Sequence, residues 1–391
     1  MDPDLTQLDA YLDDRGLDGY LLDADSEDSD QFYLSGFDAP DPFVTLYDGD
    51  VHLLFARGLE YGRAKREARA ATVERDVDFG RAEKVEEYGP RAARFHVLAD
   101  FLAAYDVDSV AVPPRFPIST GDGLRRQGVT VTPDEEGVVT GIRATKTDEE
   151  VEHVRGAQRA NEVAMAAAED LLSAATVAED GTLRHEGAPL TSERVKEEIE
   201  VTLLREGCAL DDTIVACGAD AADPHDKGSG PLAADRPIIV DIFPQDKASK
   251  YHADMTRTFC VGDPGETIRE WYALTAEAHA AALDAIEPGV TGEAVHDAVC
   301  DVYEEAGQPT LRADETAETG FIHSTGHGVG LDVHELPRIA PGGEELRSSH
   351  VVTVEPGLYD PEVGGVRIED LLVVTEDGYE NLTDYPKRLT L

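Results

Sequence analysis

Five potential metal ligands follow one another through the second half of the chain, most of them set in β-type sequence. They are Asp241 in IIVDIFP, Asp254 in HADMTRTF, His327 in HSTGHGVGLDVHE, Glu355 in VEPGLY and Glu369 in VRIED. An ionised carboxylate inside an apolar run is costly to desolvate, and a cation is one of the few adequate compensations. The pattern is therefore that of strands delivering ligands to a shared cleft. Four carboxylates and one imidazole form a hard, oxygen-rich set suited to a pair of divalent ions such as Mn²⁺, Co²⁺ or Zn²⁺. Two ions that share carboxylates can hold a hydroxide at neutral pH and polarise a carbonyl, which reads as a dinuclear metallohydrolase.

Taken singly, the ligands carry less. Asp241 follows the apolar run IIV and would sit at the end of a buried strand, where backbone amides are an alternative partner. Asp254 lies 13 residues on, and strand alternation puts Asp254, Thr256 and Thr258 on one face, with Met255, Arg257 and Phe259 on the other. Two strands joined by a loop would bring Asp241 and Asp254 together, where they repel unless a cation lies between them. His323, His327 and His334 share a glycine-rich stretch in which Gly326, Gly328 and Gly330 are expected to let backbone approach an ion or substrate. One histidine reads as a ligand and the others as supporting or substrate-facing groups; neutral imidazole suits Mn, Co and Zn alike. Arg367, two residues before Glu369, is expected on the same strand face holding that carboxylate by a charge-assisted bond, although a plain ion pair also accounts for the two.

Charge narrows the partners. The chain carries 34 basic and 81 acidic residues, a formal charge of −47, and only 8 of the basic residues are Lys. An acid-rich, Lys-poor surface suggests a halophilic protein kept soluble where salt screens self-repulsion. It argues against nucleic acid and anionic membrane as partners, because both require a basic face. Hydrophobic residues make up 41% of the chain in periodic segments, which marks a folded protein. Cys208, Cys217, Cys260 and Cys300 show no CxxC spacing and read as reduced and mostly buried. The N-terminus lacks the pattern of a signal peptide and no run approaches the ~20 apolar residues of a membrane span, so a cytoplasmic location is expected.

Length implies two domains, since single cores stop growing near ~250–300 residues. Residues 1–140 read as an α/β domain, with an amphipathic start (Leu5, Leu8, Leu12) and a hairpin, FVTLYDGDVHLLF, turning at Asp48, Gly49 and Asp50. No catalytic constellation is visible there, and His52 and His96 read as structural. Near residue 145 the pattern changes: Thr147 can cap a long helix with Val151, Val154, Ala157 and Val163 at helical spacing. The second domain, 146–391, mixes helices with strands, giving an α/β (α+β) chain overall.

Together, DMTRT, GHGVGLDVHE, EPG and RIED, in that order with the five ligands, resemble the pita-bread metallopeptidases. That family holds Xaa-Pro dipeptidase (prolidase), Xaa-Pro aminopeptidase, methionine aminopeptidase and the metal-free relative creatinase. The resemblance implies a creatinase-like α/β N-terminal domain followed by a pita-bread catalytic domain. It implies that Asp241 binds one metal, Asp254 and Glu369 bridge both, and His327 and Glu355 complete the second. A metal-bridging hydroxide would be the nucleophile and Glu355 the proton shuttle. By the same resemblance His225 lies near the scissile side of the substrate, His334 stabilises the oxyanion, His323 supports the site or touches substrate, and Arg338 holds a dipeptide's terminal carboxylate. The implied substrate is a proline-containing dipeptide or short peptide, with manganese, cobalt or zinc as the ions and a homodimer as the assembly. The chain departs from the family's Asp-x-Gly at the first ligand, reading Asp241-Ile-Phe-Pro, and has a longer connection to Asp254. Competing readings are a non-peptidase hydrolase or lyase on the same fold, since fold alone does not fix chemistry, and a non-catalytic binding protein, whose usual mark is loss of ligands.

Overall fold

The computed structural model describes residues 3–391. The chain forms two compact units, Met1–Arg143 and Ala144–Leu391.

The first unit is built on a six-stranded mixed sheet in the order Thr72–Arg75, Val51–Phe55, Phe43–Tyr47, Gly19–Ala24, Ser109–Val112, Thr130–Pro133. Its centre is antiparallel, and the expected hairpin is present with Tyr47 opposite Val51. The outer pairings are parallel and need crossovers, which the helices Arg81–Ala104 and Ile118–Arg126 supply on one side. Leu8, Tyr11 and Leu12 are the buried residues of the first helix, Thr6–Arg15. His52 bonds Thr72 Oγ1 and Asp48 Oδ1 at 2.9 Å each, a structural role.

The second unit repeats one scheme twice: a pair of helices covers one face of a sheet and leaves the other face for chemistry. Helices Asp148–Ser173 and Ser192–Arg205 pack on a three-stranded antiparallel sheet of Thr213–Cys217, Ile238–Ile242 and Met255–Phe259. Helices Gly265–Ala285 and Gly292–Glu305 pack on a five-stranded sheet whose central strands are Gly326–Gly328, Val351–Val354 and Asp370–Thr375. Thr147 caps its helix through a capping box with Glu150. The buried stripe of that helix runs through Val154, Ala157, Ala164 and Ala168, whereas Val163, expected in the stripe, is 46% exposed on the opposite side.

Alternation sorts the strands. Ile238, Val240, Ile242, Met255 and Phe259 enter the core beneath the helices, so Ile239, Asp241, Thr256 and Thr258 face the other way. The four cysteines are unpaired, and Cys208, Cys260 and Cys300 are buried. Among the described residues no helix is long and apolar enough to cross a membrane.

Candidate metal centre

Register decides which side chains meet. Asp241 is paired with Thr256 across the antiparallel ladder, and Ile242 with Met255, which sets Asp254 at the mouth of the hairpin beside Asp241. Thr256 Oγ1 donates to Glu369 Oε2 at 2.7 Å, and Thr258 Oγ1 donates to the Arg367 carbonyl at 2.8 Å. These bonds draw the segment between the Gly364–Arg367 and Asp370–Thr375 strands onto the uncovered face. Arg257, on the opposite side of its strand, donates to the Glu369 carbonyl at 2.6 Å and to Asp370 Oδ1 at 2.8 Å, fixing the backbone that carries Glu369.

The second sheet contributes His327 and Glu355. The His327 amide donates to Thr353 Oγ1 at 3.1 Å and the Glu355 amide to the Thr325 carbonyl at 2.8 Å. His327 Nδ1 lies 3.1 Å from the Gly328 carbonyl and so carries the proton, leaving the Nε2 lone pair directed at the acids. That nitrogen is 3.4 Å from Glu355 Oε1 and 3.7 Å from Asp254 Oδ2. Asp254, His327 and Glu369 offer ligand atoms that all lie within 4.8 Å of one another. Asp241, Asp254, His327, Glu355 and Glu369 line one cavity of about 410 Å³.

The electrostatics of this cluster test whether a cation fits it. Burial, reinforced by Glu369, Asp241 and Glu355, pushes the Asp254 carboxyl well above its ordinary range. Burial and the neighbouring Glu355 and Asp241 do the same to Glu369, and burial pushes Glu355 up to about 8 despite Arg367. Burial holds the His327 imidazole neutral, down to about 3. Asp241 Oδ1 is a buried oxygen with no hydrogen-bond partner. Crowded acids that resist ionisation, a neutral imidazole and an orphaned carboxylate oxygen are what divalent cations would satisfy together. The residues fit the ions.

His225 and His334 also line the cavity, and the His334 ring packs edge-on against His327 at 4.2 Å between centroids. Burial lowers the His334 pKa, so it is poised as a neutral donor. The apolar part of the lining comes from Ile214, Phe243 and Val333.

Two expectations are corrected, at Arg367 and at the glycines, while His323 takes the supporting one of its two expected roles and Arg338 lies away from the lining. Arg367 grips Asp241, Nη2 to Oδ2 at 2.5 Å, rather than Glu369, because cross-strand proximity outweighs adjacency along the strand. His323 stands behind the cavity: Nδ1 meets the Ser324 carbonyl at 2.7 Å and Nε2 meets Tyr359 Oη at 3.1 Å, and Tyr359 Oη in turn accepts from Arg367 at 3.2 Å. It acts on Asp241 through two intermediaries. Arg338 is outside the cavity lining, its side chain 55% exposed and paired with Glu344 at 3.0 Å. The glycines of the histidine-rich stretch clear protein: a Cβ on Gly326 would lie 2.1 Å from the Thr353 carbonyl oxygen, and one on Gly328 2.1 Å from that of Leu336.

The sequence reading passed over Tyr359, Thr353, Asp212 and Lys227. The first two are legible in hindsight, each lying within four residues of Glu355.

Comparison with known proteins agrees with this geometry. Residues 152–376 match Metallopeptidase family M24, and residues 5–155 match the Creatinase/Prolidase N-terminal domain. An Xaa-Pro dipeptidase of Pyrococcus furiosus is 28% identical over 390 residues, covering 98% of this chain and 99% of that protein. The solved Xaa-Pro dipeptidase from Bacillus anthracis superposes with a TM-score of 0.82 at 25% identity, covering 99% of both chains. The X-Pro aminopeptidase from Thermotoga maritima superposes with a TM-score of 0.77 at 25% identity, covering 96% of this chain and 98% of that one.

Proposed function

The chain belongs to metallopeptidase family M24, and from that membership we propose that it hydrolyses the peptide bond before proline, in Xaa-Pro dipeptides or at the N-terminus of short peptides. The observation that carries the proposal is the convergence of Asp241, Asp254, His327, Glu355 and Glu369 on one cavity whose four acids have a single buried cation among them, Arg367, held by Asp241. Relatives of matching length named as Xaa-Pro dipeptidases support the proline specificity, as does the apolar patch of Ile214, Phe243 and Val333, which suits a pyrrolidine ring.

Asp254 and Glu369 would be shared between two ions, with Asp241 on one and His327 and Glu355 on the other. When bound, such ions supply a hydroxide at neutral pH and polarise the scissile carbonyl. Glu355 would take a proton and hand it to the proline nitrogen, a poor leaving group until it is protonated. His334 donates a hydrogen bond to the developing oxyanion, and His225 closes the side of the cavity nearest the scissile bond. Arg367 fixes the Asp241 carboxylate in one orientation.

The acid-rich surface reads as that of a protein working in concentrated salt in the cytoplasm, and the assembly as a homodimer; manganese, cobalt and zinc remain the candidate ions. The test is hydrolysis of Ala-Pro beside Ala-Pro-Ala at molar salt, with Mn²⁺, Co²⁺ or Zn²⁺ returned to chelator-stripped protein. Cleavage before proline is the expected result. Proline peptides left intact by fully metal-loaded protein would overturn it.

A further inference from the structure

His334 lines the cavity without an anchor of its own. Among the described residues its side chain makes no hydrogen bond, and its one ring contact is the edge-on packing against His327. Where the imidazole points is therefore set by the backbone of the turn that carries it. A donor that stabilises an oxyanion must be in place before the charge develops, held to within about 0.5 Å. We propose that the buried ion pair of Lys146 and Glu335 is what holds it, so that both are positioning residues acting on the reaction through His334.

The turn is wound round the Glu335 carboxylate. Oε1 accepts the Asp332 amide at 3.0 Å, closing the segment over itself, and Oε2 accepts from Lys146 Nζ at 2.9 Å. A Cβ on Gly330 would fall 2.4 Å from Oε2, so the carboxylate lies against that glycine and a side chain there would displace it. The Gly330 carbonyl accepts from the His252 amide at 2.8 Å, and its amide donates to the Asp332 carbonyl at 3.0 Å. Glu335 stands opposite Gly328 in the antiparallel ladder. His327 and His334 are thus carried at the two ends of one loop, which a single carboxylate braces from within.

Lys146 is fixed from the other side. Its amide donates to the Ser349 carbonyl at 2.9 Å, and the next residue, Thr147, caps the helix Asp148–Ser173. The two side chains of the pair are 1% and 2% exposed. Stability alone does not account for so deep a pair, because apolar side chains of similar volume would serve the fold as well or better; what the pair adds is a single geometry. That geometry is imposed across 189 positions of chain on the residue next to His334. The inference rests on the peptidase reading above and on His334 as its oxyanion donor.

The experiment replaces both members of the pair together, so that no buried charge is stranded, and follows kcat and KM for Ala-Pro, bound metal and Tm in the metal-loaded protein. Lys146→Met/Glu335→Leu is expected to keep its Tm and its metal, yet to lose kcat roughly 10- to 100-fold with KM within about threefold, because a displaced oxyanion donor is missed only in the transition state. Lys146→Met/Glu335→Gln, equally uncharged but keeping an acceptor for the Asp332 amide, should fall between that variant and wild type. Adding Lys146→Met/Glu335→Leu to His334→Ala should change kcat by less than about twofold beyond His334→Ala alone, since the group through which the pair acts is gone. Wild-type kcat in Lys146→Met/Glu335→Leu, or losses that multiply when it is combined with His334→Ala, would overturn the inference while leaving the peptidase reading intact. Wild type that leaves Ala-Pro uncut would overturn that reading itself.

Discussion

Buried acids are treated differently in the two units of this chain. In the first unit each is met by donors: both oxygens of Asp23 accept from Arg94 Nη2, at 2.6 and 2.7 Å, and one also accepts from Thr120 at 2.7 Å. Asp134 accepts from Tyr20 and from the amides of Glu136, Gly137 and Val138. In the second unit, Asp370 is satisfied in the same manner by Arg257, Lys387 and Asn381. Its neighbour Glu369 is not: beyond one bond from Thr256 it faces other acids. Asp254, Glu355 and Glu369 are thus left under-compensated, the last of them one residue from Asp370, where the fold shows it can compensate fully. Local conflict that the rest of the molecule avoids marks the place where an external charge belongs.

The largest effect should come from removing a shared ligand. Asp254→Asn or Glu369→Gln is expected to cut kcat/KM for Ala-Pro by at least roughly 10³-fold, with loss of bound metal, whereas His225→Ala should cost about 100-fold and keep the metal. Near-normal turnover with a full metal complement in Asp254→Asn would break the comparison at its centre. Arg367→Met should come next, lowering activity by roughly 10- to 100-fold by freeing Asp241 from its partner, and metal affinity measured by competition with a chelator should fall with it.

Stability should then separate the two kinds of acid. In chelator at pH 9, Asp254→Asn should make the metal-free protein more stable by about 1–3 kcal/mol, because it removes one of several crowded charges. Asp23→Ala in the first unit should have the opposite sign, about 1–3 kcal/mol less stable by denaturant unfolding, since it removes the acceptor of the buried Thr120 hydroxyl and of Arg94. Equal signs for the two would erase the distinction.

The smallest effect is on pH dependence. Glu355, raised to about 8, and Asp254 and Glu369, raised as well, bind protons more tightly folded than unfolded. Their contribution to metal-free stability is therefore fully present below the unfolded value, near 4.5 for Glu355, and is lost as pH rises through about 8. The Tm of metal-free protein should fall by several degrees between pH 6 and 9, and saturating Mn²⁺ should flatten that slope. A metal-free Tm that rises over the same interval would contradict the sign.

Much of this was legible in the sequence, for reasons that are local. Alternation in DMTRTF correctly separated Thr256 and Thr258 from Met255 and Phe259, because a strand with one buried face has no other way to lie. The Thr147 cap and the hairpin at Asp48–Asp50 are likewise short-range chemistry. What was not legible depends on contacts between distant segments. The choice of Asp241 by Arg367 spans 126 positions, and the placement of Tyr359 between His323 and Arg367 follows from how two sheets meet. Arg338 stands opposite His327 in the ladder but is 55% exposed and turned to Glu344, a choice of partner that the motif does not announce. Lys227 sits in a loop with no periodicity, where nothing in the order of residues announces a cavity.

The most direct test of the account is a Mn²⁺ titration of chelator-stripped protein that follows bound metal per chain and Ala-Pro hydrolysis together. The account predicts no hydrolysis at zero metal, two ions bound at saturation, and activity rising with occupancy in wild type but not in Glu369→Gln. Undiminished hydrolysis by metal-free protein, or metal binding indifferent to loss of Glu369, would contradict it.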